Sequence, residues 1–347
     1  MSLHRMARLS YFHGKSIVRY LPAYTRAIST DPSSIIASVR SKLKNQDSQL
    51  EKKQINLLSS ALCGRIQNTD DLTGKDVYKL ATSTFEALRQ TNEDLAPATE
   101  LFKKAHELDN TDASYTYAQL LRIGQGCTAD PVTAAKIFTD LALKAHPYAQ
   151  FSLGVMYYSG LGIEQSHSKA FTLYKVSAKN GIPQAYSALG DMYFNGQGIP
   201  EDKEEAVKCY ENAAKLGDPA AHLSLAQCYN KGSGVEVSFQ KSFEHYKAAA
   251  DAELVLGIYN VAVHYFAGKG VEHSFEKAVE YFQKAADRGF TAAQVNLGNM
   301  YYQGLGVEKN VAKAKELYSL AAEDDKNAKK LLEELELEEQ GNKIEAN

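Results

Sequence analysis

Glycine pairs of the form G-x-G are the most repetitive feature of the chain that could do chemistry. A G-x-G-x-x-G turn that follows a strand binds the pyrophosphate of dinucleotides, because its backbone can approach the phosphates closely. Here the pair occurs six times, always 36 residues apart, with neither the third glycine nor a preceding strand pattern. The first glycines of the pairs are Gly124, Gly160, Gly196, Gly232, Gly268 and Gly304. This spacing indicates a structural role for the glycines and not a phosphate site.

Histidine and cysteine side chains could bind a metal ion or take part in catalysis, but their spacing favours neither. The histidines that cluster in sequence are His222, His245, His264 and His273, and no two of them have H-x-x-x-H spacing. The cysteines are Cys63, Cys127, Cys209 and Cys228, and none forms a C-x-x-C pair. We expect hydrogen-bonded or exposed histidines and reduced, packed thiols. With no G-x-S-x-G motif either, the sequence predicts no enzyme, no cofactor and no metal site.

The elements that would have to position such residues repeat with the same period. Six copies of 36 residues align as 111–146, 147–182, 183–218, 219–254, 255–290 and 291–326. One column contains only alanine, namely Ala142, Ala178, Ala214, Ala250, Ala286 and Ala322. Another contains only large aromatic residues, namely Phe138, Tyr174, Tyr210, Tyr246, Phe282 and Tyr318. Within a copy the apolar columns lie three or four residues apart, which predicts two amphipathic helices per copy and close helix contacts at the alanines.

Capping residues mark where these helices begin and end. The first glycine of each pair follows the first helix, where a left-handed glycine can cap it. The residues predicted to cap the second helix at its start are Asp130, Ser166, Asp202, Ser238, Ser274 and Asn310. Pro147, Pro183 and Pro219 stand where the first helix of three copies begins. The sequence therefore predicts a helix-turn-helix unit in every copy.

Segments outside the six copies are predicted to close the array. Residues 75–110 resemble a degenerate capping repeat, because Ala98 and Phe102 keep the register while Leu88 and Gln90 replace the glycines. Residues 29–74 are predicted to contain linkers at 29–47 and 67–74 and one helix at 48–66. Residues 327–347 are predicted to form a C-terminal capping helix and an acidic tail.

The first 28 residues differ in kind from the rest. They contain five basic residues and no acidic one, with several serines. On a helix Arg5, Arg8 and Arg19 share a face opposite Leu3 and Leu9. A basic, serine-bearing amphipathic start is typical of a mitochondrial presequence, although a disordered basic tail would look similar. The sequence therefore predicts a presequence over residues 1–28 and a mitochondrial protein.

Charge and hydropathy exclude several kinds of partner. The net charge of −3 gives no indication of nucleic-acid binding. No run of 18 apolar residues is present, so at most peripheral association with a membrane is expected. We expect a monomer that binds proteins.

The repeated unit resembles the Sel1-like repeat, a relative of the tetratricopeptide repeat. The last copy reads Ala-x-x-x-Leu-Gly-x-x-Tyr-x-x-Gly-x-Gly-Val from Ala293 and Lys-Ala-x-x-x-Tyr-x-x-Ala-Ala from Lys313. Copy one departs most, with Tyr117 for the leucine and Leu121 for the tyrosine, and copy five has Gly257 in place of the first alanine. The resemblance implies an all-α fold, a right-handed α-solenoid of stacked helix-turn-helix repeats, and a rarely catalytic role in protein binding.

The resemblance also implies where a partner would bind. In tetratricopeptide repeats, three positions of the first helix point into the concave groove. The residues predicted to form this partner groove are Phe151, Val155, Tyr158, Asp191, Phe194, Gln227, Asn230, Tyr259, Val263, Phe266, Asn299 and Tyr302. For the column that contains Tyr158, packing between adjacent first helices is the alternative. The groove mixes apolar and amide side chains, which suits an apolar peptide and no acidic tail.

Together with the presequence, the repeats resemble mitochondrial assembly factors. They predict a non-catalytic scaffold in the mitochondrial matrix or peripheral to the inner membrane. Its predicted role is the assembly of an inner-membrane respiratory complex such as cytochrome c oxidase. An adaptor in mitochondrial stress signalling or protein quality control is the alternative.

Overall fold

A computed structural model describes residues 32–43, 48–64 and 72–345, and these residues form seventeen α-helices and no strand. The presequence prediction for residues 1–28 lies outside the described residues. The chain divides into two units, one up to Ile182 and one from Pro183. The helices of the N-terminal unit are α1 Pro32–Leu43, α2 Ser48–Leu62, α3 Gly74–Thr91, α4 Ala96–Glu107, α5 Thr111–Ile123, α6 Pro131–Leu143, α7 Pro147–Ser159 and α8 His167–Lys179. Those of the C-terminal unit are α9 Pro183–Asn195, α10 Lys203–Lys215, α11 Pro219–Lys231, α12 Phe239–Asp251, α13 Val255–Ala267, α14 Phe275–Ala286, α15 Thr291–Gln303, α16 Val311–Ala321 and α17 Lys326–Glu345.

Each of the six copies is one pair of packed helices, and within each unit consecutive pairs pack on one another. The prediction of an α-solenoid of helix-turn-helix repeats is confirmed. Among the described helices, none combines the length and the apolar character needed to cross a bilayer.

The predicted helix caps are present. The first glycines of the pairs have positive φ, as at Gly160 with φ 73° and Gly232 with φ 71°. In all six copies the predicted capping side chain accepts a hydrogen bond from the backbone N–H three residues later. Each cap satisfies a helix N–H group that would otherwise have no partner. Pro147, Pro183 and Pro219 are each the first residue of their helix.

Inside a repeat, a small residue of the first helix faces an aromatic ring of the second. At Gly190 an added Cβ would lie 2.5 Å from the ring of Tyr210, and at Gly298 it would lie 2.5 Å from the ring of Tyr318. Both tyrosines are almost completely buried. The two columns identified in the sequence therefore fit each other, because the missing side chain of one makes room for the ring of the other.

Between repeats, the second glycine of a pair lies against the start of the preceding second helix. At Gly234 a Cβ would be 2.2 Å from the carbonyl oxygen of Lys203, the first residue of α10. At Gly270 it would be 2.2 Å from the carbonyl oxygen of Phe239, the first residue of α12. The same approach occurs in the N-terminal unit, where a Cβ at Gly162 would be 2.4 Å from the backbone of Pro131. Only glycine permits this approach at a positive φ.

The alanine columns are buried differently from what the sequence suggests. Ala214, in the all-alanine column, is only partly buried. The preceding residue, Ala213, is completely buried, as are Ala249, Ala285 and Ala321 at the same position of later copies. Ala178, Ala250 and Ala286 of the all-alanine column are buried as well, so close helix contacts involve both columns.

The flanking segments contain more helix than predicted. Residues 29–47 were predicted to be a linker, and this is wrong for α1, whose Ile35, Val39 and Leu43 are buried. Their spacing of four places them on one helix face, so they pack in a core with residues of α3 and α4. The segment predicted to be a degenerate repeat forms the helix pair α3 and α4. Without the glycines α3 runs on to Thr91, where Asn92 takes the left-handed conformation. The segment predicted to be a C-terminal capping helix lies in α17, which ends at Glu345.

Candidate protein-binding site

The predicted groove residues belong to three columns of the first helices, and the first column lies where consecutive repeats meet. Tyr259 of this column packs 4.9 Å from the ring of Phe290, just before the next first helix, and its hydroxyl accepts a hydrogen bond from Asn296 at 3.1 Å. Phe151 is only 7% exposed, and its ring lies 5.6 Å from that of Tyr174. Phe151 therefore belongs to the core and is not accessible to a partner.

In the column of Tyr158, Phe194, Asn230, Phe266 and Tyr302, three aromatic members contact the start of the second helix of their own repeat. The ring of Tyr158 stacks on His167 at 5.1 Å, and that of Phe266 lies 5.3 Å from Phe275. The Lys203 ammonium lies 5.7 Å from the centre of the Phe194 ring. Packing accounts for much of this column, although its partner is the second helix of the same repeat and not the neighbouring first helix. Phe266 still exposes 41% of its surface.

The middle column, which contains Val155, Asp191, Gln227, Val263 and Asn299, is partly taken up by the fold. Asp191 accepts a hydrogen bond from the Tyr210 hydroxyl at 2.8 Å, and Asn299 accepts one from the Tyr318 hydroxyl at 2.7 Å. Gln227 is exposed, while Val155 and Val263 are half-buried. The residue types in this column therefore differ for two reasons. Asp191 and Asn299 accept a hydrogen bond from a tyrosine of the second helix, whereas Gln227 is exposed.

Burial keeps the two tyrosines protonated as donors. Burial, and then the nearby Asp191 carboxylate, raises the pKa of Tyr210 far above its ordinary value. Burial also raises the pKa of Tyr318 to about 12. A protonated hydroxyl donates to the first helix at any physiological pH, so these hydrogen bonds fasten the two helices of a repeat together.

An accessible surface with an apolar centre is found in the C-terminal unit, on α13. Leu256 is 38% exposed, and Val263 and Phe266 follow it on nearly the same side of the helix. Side-chain amides occupy related positions of α11, α13 and α15, and three of them also bond within the fold: Asn260 donates to the Leu256 carbonyl oxygen, Asn296 donates to the Tyr259 hydroxyl, and Asn299 accepts from the Tyr318 hydroxyl. We name this surface the first-helix face; its residues are Gln227, Leu256, Asn260, Val263, Phe266, Asn296 and Asn299.

Sequence reasoning found four of these residues and missed Leu256, Asn260 and Asn296. They lie three or seven residues before the middle column, a spacing that places them on the same side of a helix. Amides can donate to and accept from a peptide backbone, and the apolar stripe can accept apolar side chains. The first-helix face thus suits an extended segment of another protein.

The histidines that cluster in sequence have structural partners. The Nδ1 atoms of His222 on α11 and His245 on α12 are 2.9 Å apart, and the His245 ring stacks on Tyr229 at 5.6 Å. Buried His264 is hydrogen-bonded through Nδ1 to the Lys269 carbonyl oxygen at 2.7 Å. Within the described residues, no three histidine, cysteine or acidic side chains come together as a metal site would require.

These histidines should make the C-terminal unit less stable in mild acid. Burial lowers the pKa of His222, His245 and His264 below the ordinary value of 6.5, and for His245 the neighbouring His222 lowers it further. Asp218 opposes the shift at His222, and Glu244 opposes it at His245. As the pH falls, these histidines bind protons in the unfolded chain before they do so in the folded one. Their contribution to folding stability is therefore fully present above their pKa in the unfolded chain, and it is lost as the pH falls from that pKa towards their lower pKa in the folded chain.

We therefore expect a lower melting temperature at about pH 5.5 than at about pH 7.5. Thermal unfolding measured by circular dichroism at the two pH values tests this. The double variant His222→Gln/His245→Gln should lose part of this dependence. An equal pH dependence in the variant would contradict the assignment to this pair.

Comparison with known proteins agrees with the repeat boundaries. The family model described as Sel1 repeat matches residues 147–182, 183–218, 219–254, 255–290 and 291–326. Copy one, which departs most from the motif, is not among the matched residues. None of the curated protein sequences compared with the chain is significantly similar to it.

Crystal structures of other helical repeat proteins are similar to this chain, and two of them share at least a quarter of its residues in the aligned part. A Sel1 repeat protein from Oxalobacter formigenes is 26% identical with a TM-score of 0.65, over 72% of this chain and 100% of that protein. The protective antigen c5321 of uropathogenic Escherichia coli is 30% identical with a TM-score of 0.63, over 67% of this chain. The chain spans only 50% of the length of that antigen.

Proposed function

The chain belongs to the Sel1 repeat family, and from this premise we propose that it is a non-catalytic scaffold that binds another protein. Repeats of this kind generally mediate protein interactions. The observation that carries the proposal is the first-helix face, where Leu256, Val263 and Phe266 form an accessible apolar stripe, with amides at related helix positions. Its occupant is an extended, uncharged segment whose apolar side chains lie on the stripe while its backbone bonds to the amides.

A charge placed in the stripe tests this proposal. The double variant Leu256→Lys/Val263→Lys should lose at least about tenfold in partner binding, because a peptide would have to desolvate two ammonium groups. The matched control is Leu216→Lys/Val237→Lys, in which two residues of the same unit, 48% and 55% exposed, lie outside the face. Leu256 and the two control residues are exposed, whereas Val263 is half-buried against the core, so circular dichroism must show that both variants fold before their binding is compared.

The measurement is quantitative crosslinking mass spectrometry of mitochondria purified from cells that express the wild type or one of the variants. Partners lost from the face variant and kept by the control are the expected result. If the face variant retains the same partners at the same yield as the control, binding must occur elsewhere on the chain.

We place the protein in the mitochondrial matrix, where it is soluble or peripheral to the inner membrane. Support comes from residues 1–28, with five basic residues and no acidic ones, and from the low cysteine content. Changing Arg5, Arg8 and Arg19 to Glu should leave the protein in the cytosol. Changing the exposed Lys52, Lys75 and Lys79 to Glu serves as the control. Normal import of the first variant, measured by fractionation with protease protection, would exclude the presequence.

Within the matrix, we propose a role in assembling an inner-membrane respiratory complex such as cytochrome c oxidase. Depletion should then lower the assembled complex on native gels while the import of unrelated proteins stays normal. An unchanged complex together with an altered response to import stress would favour the alternative, a stress-signalling or quality-control adaptor. If membrane association is at most peripheral, carbonate extraction should release the protein from membranes. If the protein is a monomer, light scattering of the purified protein should give the mass of a single chain.

A further inference from the structure

A cluster of polar side chains in the N-terminal unit joins the first helices of copies one and two. Arg122 Nε on α5 donates to Gln119 Oε1 at 3.0 Å. The Gln119 amide nitrogen lies 2.8 Å from the Tyr115 hydroxyl and 3.0 Å from Ser152 Oγ on α7. Tyr115 is held in place by its ring, which stacks on His146 at 5.2 Å. The cluster is therefore a fixed arrangement between two repeats and not a set of mobile surface groups.

The hydrogen bonds of this cluster use the Nε atom of Arg122 and leave its two terminal nitrogens available to a ligand. Because Gln119 accepts from Arg122 through its oxygen, its NH₂ group must donate to the oxygens of Tyr115 and Ser152. Those two hydroxyls are 3.4 Å apart, so at most one of their hydrogens can be used between them. Among the described residues, the guanidinium of Arg122 has no carboxylate within ion-pair distance. Its two terminal nitrogens are not buried without a partner, so they can donate to water or to a ligand.

The charge of Arg122 is also poorly compensated. The side chain is partly buried, and burial lowers the pKa of the guanidinium below its ordinary value. Tyr115, which is neutral at physiological pH, is the one ionisable group that opposes this shift. A charged group withdrawn from water without a counter-ion costs free energy, and an anion that binds there recovers it. The cluster is therefore more favourable with an anion than without one.

We propose that Arg122, held in place by Gln119, binds the carboxylate of an acidic side chain in a partner protein. The planar fork of a guanidinium matches the two oxygens of a carboxylate, so its two terminal nitrogens can donate a parallel pair of hydrogen bonds. Ile123, which follows Arg122 and is 50% exposed, offers an apolar contact next to the charge. The ligand is thus an acidic residue with an apolar neighbour.

This inference rests on the proposed scaffold role but uses a different unit from the first-helix face. The N-terminal unit would select for charge, whereas the first-helix face in the C-terminal unit would select for apolar side chains. Each site can be tested while the other is intact, so failure of one does not imply failure of the other.

The test uses the full-length protein and two capped peptides, acetyl-Leu-Glu-Leu-amide and acetyl-Leu-Gln-Leu-amide, which differ in charge alone. The Nε–Hε resonance of Arg122, assigned by its loss in Arg122→Gln, should shift with the Glu peptide and not with the Gln peptide. Binding of the Glu peptide should weaken about ten- to hundredfold in Arg122→Gln, as expected for loss of a charged hydrogen-bond partner. Arg89→Gln removes an exposed arginine of the same unit and should change nothing.

Three results would overturn the proposal. The first is equal shifts with both peptides, and the second is no shift with either peptide. The third is a response to inorganic phosphate but not to the Glu peptide, which would indicate a phosphate site. The Leu256→Lys/Val263→Lys variant should still show the shift of the Arg122 resonance with the Glu peptide. The test of Arg122 is therefore independent of whether the first-helix face binds a partner. Arg122→Lys should retain part of the preference for Glu, because it keeps the charge without the fork.

Discussion

Replacing Gly234 by alanine should lower the free energy of unfolding of the C-terminal unit by about 2–5 kcal/mol. Two costs add at this residue. Its φ of 74° is unfavourable for any residue with a Cβ, and the new atom would lie 2.2 Å from the Lys203 carbonyl oxygen. That oxygen belongs to the backbone at the start of α10, so it cannot turn away as a side chain would. Relief requires the two repeats to move apart.

The matched control for this prediction is Gly217→Ala. Gly217 has a φ of 85°, but no atom lies within 4 Å of the position of its missing Cβ. Only the cost of the left-handed backbone conformation for alanine, about 1–2 kcal/mol, should remain there. Urea unfolding measures the loss in free energy of unfolding for each variant. Hydrogen exchange in α10 and α11 shows whether the loss of stability is localised to these helices. Equal losses in the two variants would mean that the contact between repeats contributes nothing.

Gly257→Ala should destabilise the protein by about 1–3 kcal/mol, although sequence reasoning predicts the opposite sign. Glycine within a helix is less favourable than alanine by up to about 1 kcal/mol. All five other copies have alanine at this position, namely Ala113, Ala149, Ala185, Ala221 and Ala293. In the structure, however, a Cβ at Gly257 would lie 2.7 Å from the Ala250 backbone nitrogen and 2.8 Å from Ala249 Cβ. Helices α12 and α13 are too close together here for an added methyl group.

A second substitution separates steric clash from other causes. Ala249→Gly removes one of the atoms that the new methyl group meets, so the double variant Gly257→Ala/Ala249→Gly should recover part of the loss beyond the sum of the single effects. Thermal unfolding by circular dichroism measures all three variants. A stabilised Gly257→Ala would show that α12 and α13 can separate at little cost.

The features that the sequence predicts well are those set by local chemistry. A Ser, Asp or Asn at a helix start or a glycine at a helix end acts on backbone groups a few residues away, so its role can be read from its position in the copy. Ser238 and Gly232 behave as expected for this reason. The same logic correctly identified the paired helices and their bounds.

The positions that the sequence predicts poorly are those set by how helices are rotated against each other. Successive helix residues differ by about 100° in direction, so an error of one column moves a residue from the surface to the core. This is why Ala213, and not Ala214, is completely buried, and why Phe151 is inaccessible while Leu256 is exposed. The helix α1 was missed because three apolar residues spaced by four, flanked by linker-like sequence, carry little signal on their own.

The contact of each second glycine with an earlier helix start also limits how such a chain can change length. Gly234 and Gly270 meet the helix starts at Lys203 and Phe239, each 31 residues earlier, by subtraction of the residue numbers. One residue gained or lost in between would place a side chain against that carbonyl oxygen. A gene duplication or deletion of a whole 36-residue unit keeps the spacing, wherever in the unit its breakpoints fall. Recombination between copies can therefore lengthen or shorten the array without a damaging intermediate.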